Sequence, residues 1–152
     1  MFKWLAFAFN FLLAFILLFV LEKGIFLLYF LHKTAILPFA DITGIFIHGL
    51  WLDISLSCYL LACPLLVFML QQISGKRIMS VFLKIYFFII FFIIGLLFVG
   101  DLGIYANWAS KLNVRAIQNI LHPTEMMASA GNSPVWLYVL LIIAHVLFFR
   151  PL

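Results

Sequence analysis

The chain has 152 residues, of which 68% are hydrophobic and 9% charged, where a soluble domain carries roughly 25% charged residues to cover its surface. So few charges exclude a water-facing globule and make lipid the solvent, while a net charge of +4 is too small and scattered for a nucleic-acid footprint. The length allows one domain at most, and the pattern predicts an all-α polytopic membrane protein with residues 1–152 as a single transmembrane domain.

Four apolar runs reach, or nearly reach, the roughly 17–25 residues that cross about 30 Å of hydrocarbon. The first covers about Phe7–Phe30 and is interrupted by Glu22 and Lys23. Lys3 precedes it, but the run is far longer than a signal peptide's apolar region and reads as an uncleaved first span. The second covers about Ile42–Leu70, the third about Ile78–Val99, and the fourth, the shortest, about Pro134–Phe149. Backbone in lipid must satisfy its own hydrogen bonds, so each run is expected to be a helix.

The linkers set the orientation. Lys3, the group Lys76, Arg77 and Lys84, and Arg150 mark one side as net positive. The other side is balanced: His32, Lys33 and Asp41 in one loop, Asp101, Lys111, Arg115 and Glu125 in the next. The positive-inside tendency then predicts that both termini are cytoplasmic. Two loops lie outside, about His32–Asp41 and Asp101–Ser133.

The second loop carries structure of its own. Leu112, Ala116, Ile117, Ile120 and Leu121 recur at three-to-four spacing, with Lys111, Arg115, Gln118 and Asn119 between them. That pattern predicts an amphipathic helix over about 109–121, flat in the interface and anchored by Trp108. Pro123 stops it, and a short helix over Glu125–Ala130 is expected to follow, with Thr124 as its N-cap.

Ionisable groups inside a bilayer are costly and need a reason. Asp53 lies about ten residues into the second span, and Gly49, Asp53 and Ser57 recur every fourth residue as one small polar stripe. The stripe reads as a helix-packing seam for a partner helix, or as a headgroup or proton-relay site. Glu22, Lys23 and His48 sit at similar depth, which suggests Glu22 pairing with His48 or with the Lys23 amine; alternatively Lys23 snorkels outward. At the interface, Asp101, Lys111, Arg115, His122 and Glu125 are candidates for a phospholipid headgroup, or simply a solvated face. His145 reads as a packing residue hydrogen-bonded to a neighbour. Cys58 and Cys63, about 140° apart on a helix, read as small packing residues that cannot bridge within it. The spacing offers no Ser-His-Asp set, phosphate-cradling glycine loop or metal cluster, so neither a catalytic residue nor a cofactor is expected in this chain.

Two stretches carry a family resemblance. His48-Gly49-Leu50-Trp51-Leu52-Asp53-Ile54-Ser55, continuing to Tyr59-Leu60, resembles the second-helix signature of lipoteichoic acid synthase-like proteins. These are membrane phosphoglycerol transferases of the sulfatase/alkaline phosphatase superfamily. Asp101 to Ser129 is similar to their extracytoplasmic linker, through Asn107-Trp108, Lys111-Leu112-Asn113, Ile120-Leu121 and Pro123-Thr124-Glu125 followed by Ala128-Ser129. The chain departs from the pattern at Trp51, where many relatives have a basic residue.

The resemblance implies an N-terminal membrane fragment of such an enzyme, in the cytoplasmic (inner) membrane of a bacterium, acting on cell-envelope lipids or glycans. It also implies five spans followed by an extracytoplasmic catalytic domain with a threonine nucleophile and a divalent metal, usually manganese. That domain is missing from this sequence, so no transferase or sulfatase turnover is expected of this chain alone. The partners implied are membrane lipids, including phosphatidylglycerol-type headgroups. The alternative is a stand-alone small membrane scaffold or regulator without catalysis, and a small transporter is a weaker third reading.

Overall fold

A computed structural model of the chain describes residues 3–74, 78–109 and 134–148, and all regular structure in them is helical. Among the described residues five helices follow one another: α1 Lys3–Tyr29, α2 Leu31–Thr34, α3 Phe39–Ser74, α4 Ile78–Trp108 and α5 Val135–Phe148. Three stretches within them are long and apolar enough to cross a membrane, namely Leu5–Tyr29, Phe39–Gln71 and Val81–Asn107. Helix α5 is as apolar but has 14 residues, about 21 Å of helix at 1.5 Å per residue.

By contact the chain forms two compact units, Met1–Lys84 and Ile85–Leu152. The first is a helical hairpin of α1 and α3. Its turn is tied by Thr34, whose buried hydroxyl donates to the carbonyls of Leu27 at 2.9 Å and Phe30 at 3.1 Å. Pro38 stands just before α3, where its missing N–H costs nothing, and its carbonyl accepts from the Asp41 amide at 3.0 Å. Asp41, in the first turn of α3, suits the positive end of that helix. Further along the hairpin, the rings of Phe7 and Phe68 stack at 4.9 Å. Helix α3 continues through Pro64, which has no N–H for the Leu60 carbonyl and is fully buried; membrane helices tolerate this where neighbouring groups take over the polar backbone.

The second unit brings the C-terminal part of α4 against α5. Phe91, buried to 0% exposure, lies 6.2 Å from the ring of Phe148, and Phe98 lies 5.5 Å from the ring of His145. Helix α4 continues to Trp108 instead of stopping near Val99. Asp101 and Asn107, expected in a loop, are therefore helical. Polarity alone suggested the loop, but the Asn107 side-chain amide donates to the Gly103 carbonyl at 2.9 Å, inside its own helix. The helix ends where Ala109 adopts φ 52°, the left-handed conformation common after a helix C-terminus.

The interfacial helix expected over about 109–121 lies, beyond Ala109, outside the described residues, as do the short helix after it and the linker residues Lys76 and Arg77.

Candidate functional site: the intramembrane polar seam

The seam starts from spacing. Residues four apart on a helix share a face, and Asp53, Ser57, Leu61 and Pro64 are all buried on one side of α3. Gly49 continues that side, and α1 lies against it. Across from Gly49 and Asp53 stands Lys23 of α1, whose amine donates to Asp53 Oδ2 as a salt bridge between residues thirty apart in sequence. Their side chains are 19% and 11% exposed. Two opposite charges paired directly in a medium without water hold each other far more firmly than on a wetted surface.

Gly49 makes the pairing sterically possible. A Cβ at this position would come within 2.8 Å of Lys23 Cε, so the lysine stem crosses the helix over a bare backbone. Ser57, wholly buried, is satisfied locally because its hydroxyl donates to the Asp53 carbonyl at 2.6 Å. The same residue, Asp53, thus anchors the seam twice, through its carboxylate to α1 and through its carbonyl to Ser57.

The structure sorts the expected residues into two groups. Gly49, Asp53 and Ser57 share the seam, and its cation is Lys23. His48 does not join it: the imidazole is on the exposed side of α3, about 140° around the helix from Asp53. Glu22 is half-buried on α1. Among the headgroup candidates, Asp101 lies on α4 and is half-buried, while Lys111, Arg115, His122 and Glu125 lie outside the described residues. The described residues hold no group of three or more His, Cys, Asp or Glu side chains able to bind a metal.

A second seam joins α4 to α5. His145 is 4% exposed, and its Nδ1–H donates to the Leu141 carbonyl one turn back at 2.7 Å; a carbonyl only accepts, so that nitrogen carries the proton. Gly95 faces it closely, since a Cβ there would lie 3.1 Å from His145 Cβ and 3.5 Å from Ile142 Cα. Beside Gly103 the Tyr138 hydroxyl is buried and has no hydrogen-bond partner among the described residues. The sequence signal for Gly95 and Gly103 is their eight-residue spacing, which places both on the side of α4 that meets α5.

Fold and seam together define an all-helical protein with long apolar helices suited to a membrane, two of which, α1 and α3, are joined by an ion pair. The chain matches no protein-family model, no curated protein and no solved structure.

Proposed function

We propose that the chain is the membrane-anchoring N-terminal part of a lipoteichoic acid synthase-like transferase that moves phosphoglycerol- or phosphoethanolamine-type groups onto cell-envelope lipids or glycans. The observation that carries the reading is the stretch His48–Leu60, whose resemblance to the family's second helix coincides with the turn of α3 that holds Asp53 against Lys23. A charged pair bridging two apolar helices fixes their register and resists shear. An anchor has the same requirement when it must hold a catalytic domain at a set height above lipid headgroups.

In this reading the chain sits in the cytoplasmic membrane of a bacterium with four spans and both termini in the cytoplasm. Helix α5 is the fourth span, and its shortness draws the bilayer inward around it. The Asp101–Ser129 segment, with Asp101, Lys111, Arg115 and Glu125, forms the interfacial element where phosphatidylglycerol-type headgroups are presented. The threonine nucleophile and the divalent metal, manganese by family habit, belong to another domain of the enzyme, and this chain's share is position.

The test is the coding sequence downstream of the Leu152 codon in all three frames. A fifth apolar span followed by a domain with a metal-binding Asp/His set and a threonine nucleophile is the expected result. Intergenic sequence with no such domain nearby would overturn the transferase reading and leave a stand-alone membrane scaffold in its place.

A further inference from the structure

Helix α3 carries a second stripe, opposite the seam. Gly44, His48, Trp51, Ser55, Cys58 and Ala62 follow one another at alternating steps of four and three, the a/d spacing of helices that pair with a left-handed crossing. All but half-buried Gly44 are exposed, Trp51 to 74%. Tyr59, 79% exposed, borders the stripe. At about 100° per residue, His48, Ser55 and Tyr59 fall within an arc of about 40°, roughly 120–180° from Asp53 and Ser57.

Three polar side chains therefore point outward from a helix in a medium that offers them no hydrogen bond. Among the described residues none of the three makes one. In hydrocarbon an unmet hydroxyl or imidazole is costly, so the stripe is built for a protein neighbour rather than for acyl chains.

Its chemistry selects the neighbour. The stripe has no carboxylate, lysine or arginine, and Lys23 and Asp53 face each other inside the hairpin. The Ser55 and Tyr59 hydroxyls each donate and accept, so both are complementary to themselves. Ser55, Cys58 and Ala62 are small and let two backbones come close, and Trp51 covers the flank. Copies of one chain enter the membrane in the same orientation, so a two-fold axis along the membrane normal sets each residue against its twin.

We propose that this face of α3 is a homodimer interface, with closest approach at Ser55, Cys58 and Ala62. Cys58 then lies opposite Cys58 of a second copy. The proposal concerns a different face from the anchoring seam and stands whether or not the transferase reading holds.

The experiment is thiol crosslinking of the full chain in membrane vesicles with copper phenanthroline. Wild type and Cys63→Ala are expected to give a product of twice the chain's mass, which Cys58→Ala abolishes. In the Cys58→Ala/Cys63→Ala background, Ser55→Cys and Ala62→Cys are expected to crosslink, whereas Ile54→Cys and Leu56→Cys do not. Ala62→Phe is expected to cut the Cys58 product about ten-fold, the effect of a bulky ring forced into a tight contact. Crosslinking with no periodicity would indicate random collision, and a product of any other mass would put a different protein on the face. Either result, or no product at any seam position, overturns the proposal.

Discussion

The two seams resolve the same difficulty in opposite ways. Between α1 and α3 a polar group on one helix is satisfied by a group on the other, Lys23 by Asp53. Between α4 and α5 the polar group is bonded within its own helix, His145 by the Leu141 carbonyl one turn earlier, and the facing helix brings Gly95 and the ring of Phe98 against it. Glycine serves both, at Gly49 by admitting a lysine stem and at Gly95 by admitting the Cβ of a histidine. The first arrangement specifies a partner chemically, an amine against a carboxylate. The second specifies it only by shape, so its members are individually more replaceable.

That contrast predicts unequal losses. The largest is expected for Asp53→Leu, which leaves the Lys23 amine unpaired and costs about 3–5 kcal/mol, read as the thermal or denaturant stability of the chain in nanodiscs. Adding Lys23→Leu should restore most of it, because two apolar groups in lipid need no partner; a double variant as weak as the single one would show that the pair is not what holds the hairpin. Gly49→Ala comes next. The new methyl must push the end of the lysine aside, and a loss of about 1.5–3 kcal/mol, the worth of a hydrogen bond to a charged group, is expected. The same change in the Lys23→Leu/Asp53→Leu background should cost clearly less.

In the second seam the effects shrink. Gly95→Ala meets His145 Cβ and the Ile142 backbone, neither of which can swing away, and overpacking of this kind costs about 1–3 kcal/mol. Tyr138→Phe should be neutral or stabilising by up to about 1 kcal/mol, since it removes a buried hydroxyl that lacks a partner among the described residues. A clear loss of stability in that variant would mean that the hydroxyl is bonded after all. An effect of similar size is expected at the end of α4, where Ala109→Gly relieves a left-handed alanine and gains up to about 1 kcal/mol.

The helices were legible because lipid imposes a length and an apolar run reports it, and the four-residue recurrence of Gly49, Asp53 and Ser57 was enough to place the inner stripe. The partner of Asp53 was harder to read. Counting depth along the backbone put Lys23 beside His48 and Glu22, but a lysine side chain reaches about 6 Å beyond its own Cα, more than one helical turn, and meets a carboxylate at a different level. The end of the third span was misplaced because Asp101 and Asn107 look like loop residues until Asn107 is seen bonding within its own helix. The outer stripe was hidden for the opposite reason: Trp51 and Tyr59 count as hydrophobic in any average, and only burial separates the side of α3 that is covered from the side that is not.

The length of α3 has a consequence for the membrane itself. Its apolar stretch of 33 residues measures about 50 Å at 1.5 Å per residue, against about 30 Å of hydrocarbon. The surplus is taken up by leaning, by thickening the lipid nearby, or by ends that project among the headgroups. A helix with so much surplus acts as a ruler of its surroundings: in a thin bilayer it lies flatter and in a thick one it rises. Lipid composition thereby sets the pitch of every residue on α3 relative to the membrane plane, and a change of acyl-chain length alone is enough to alter it.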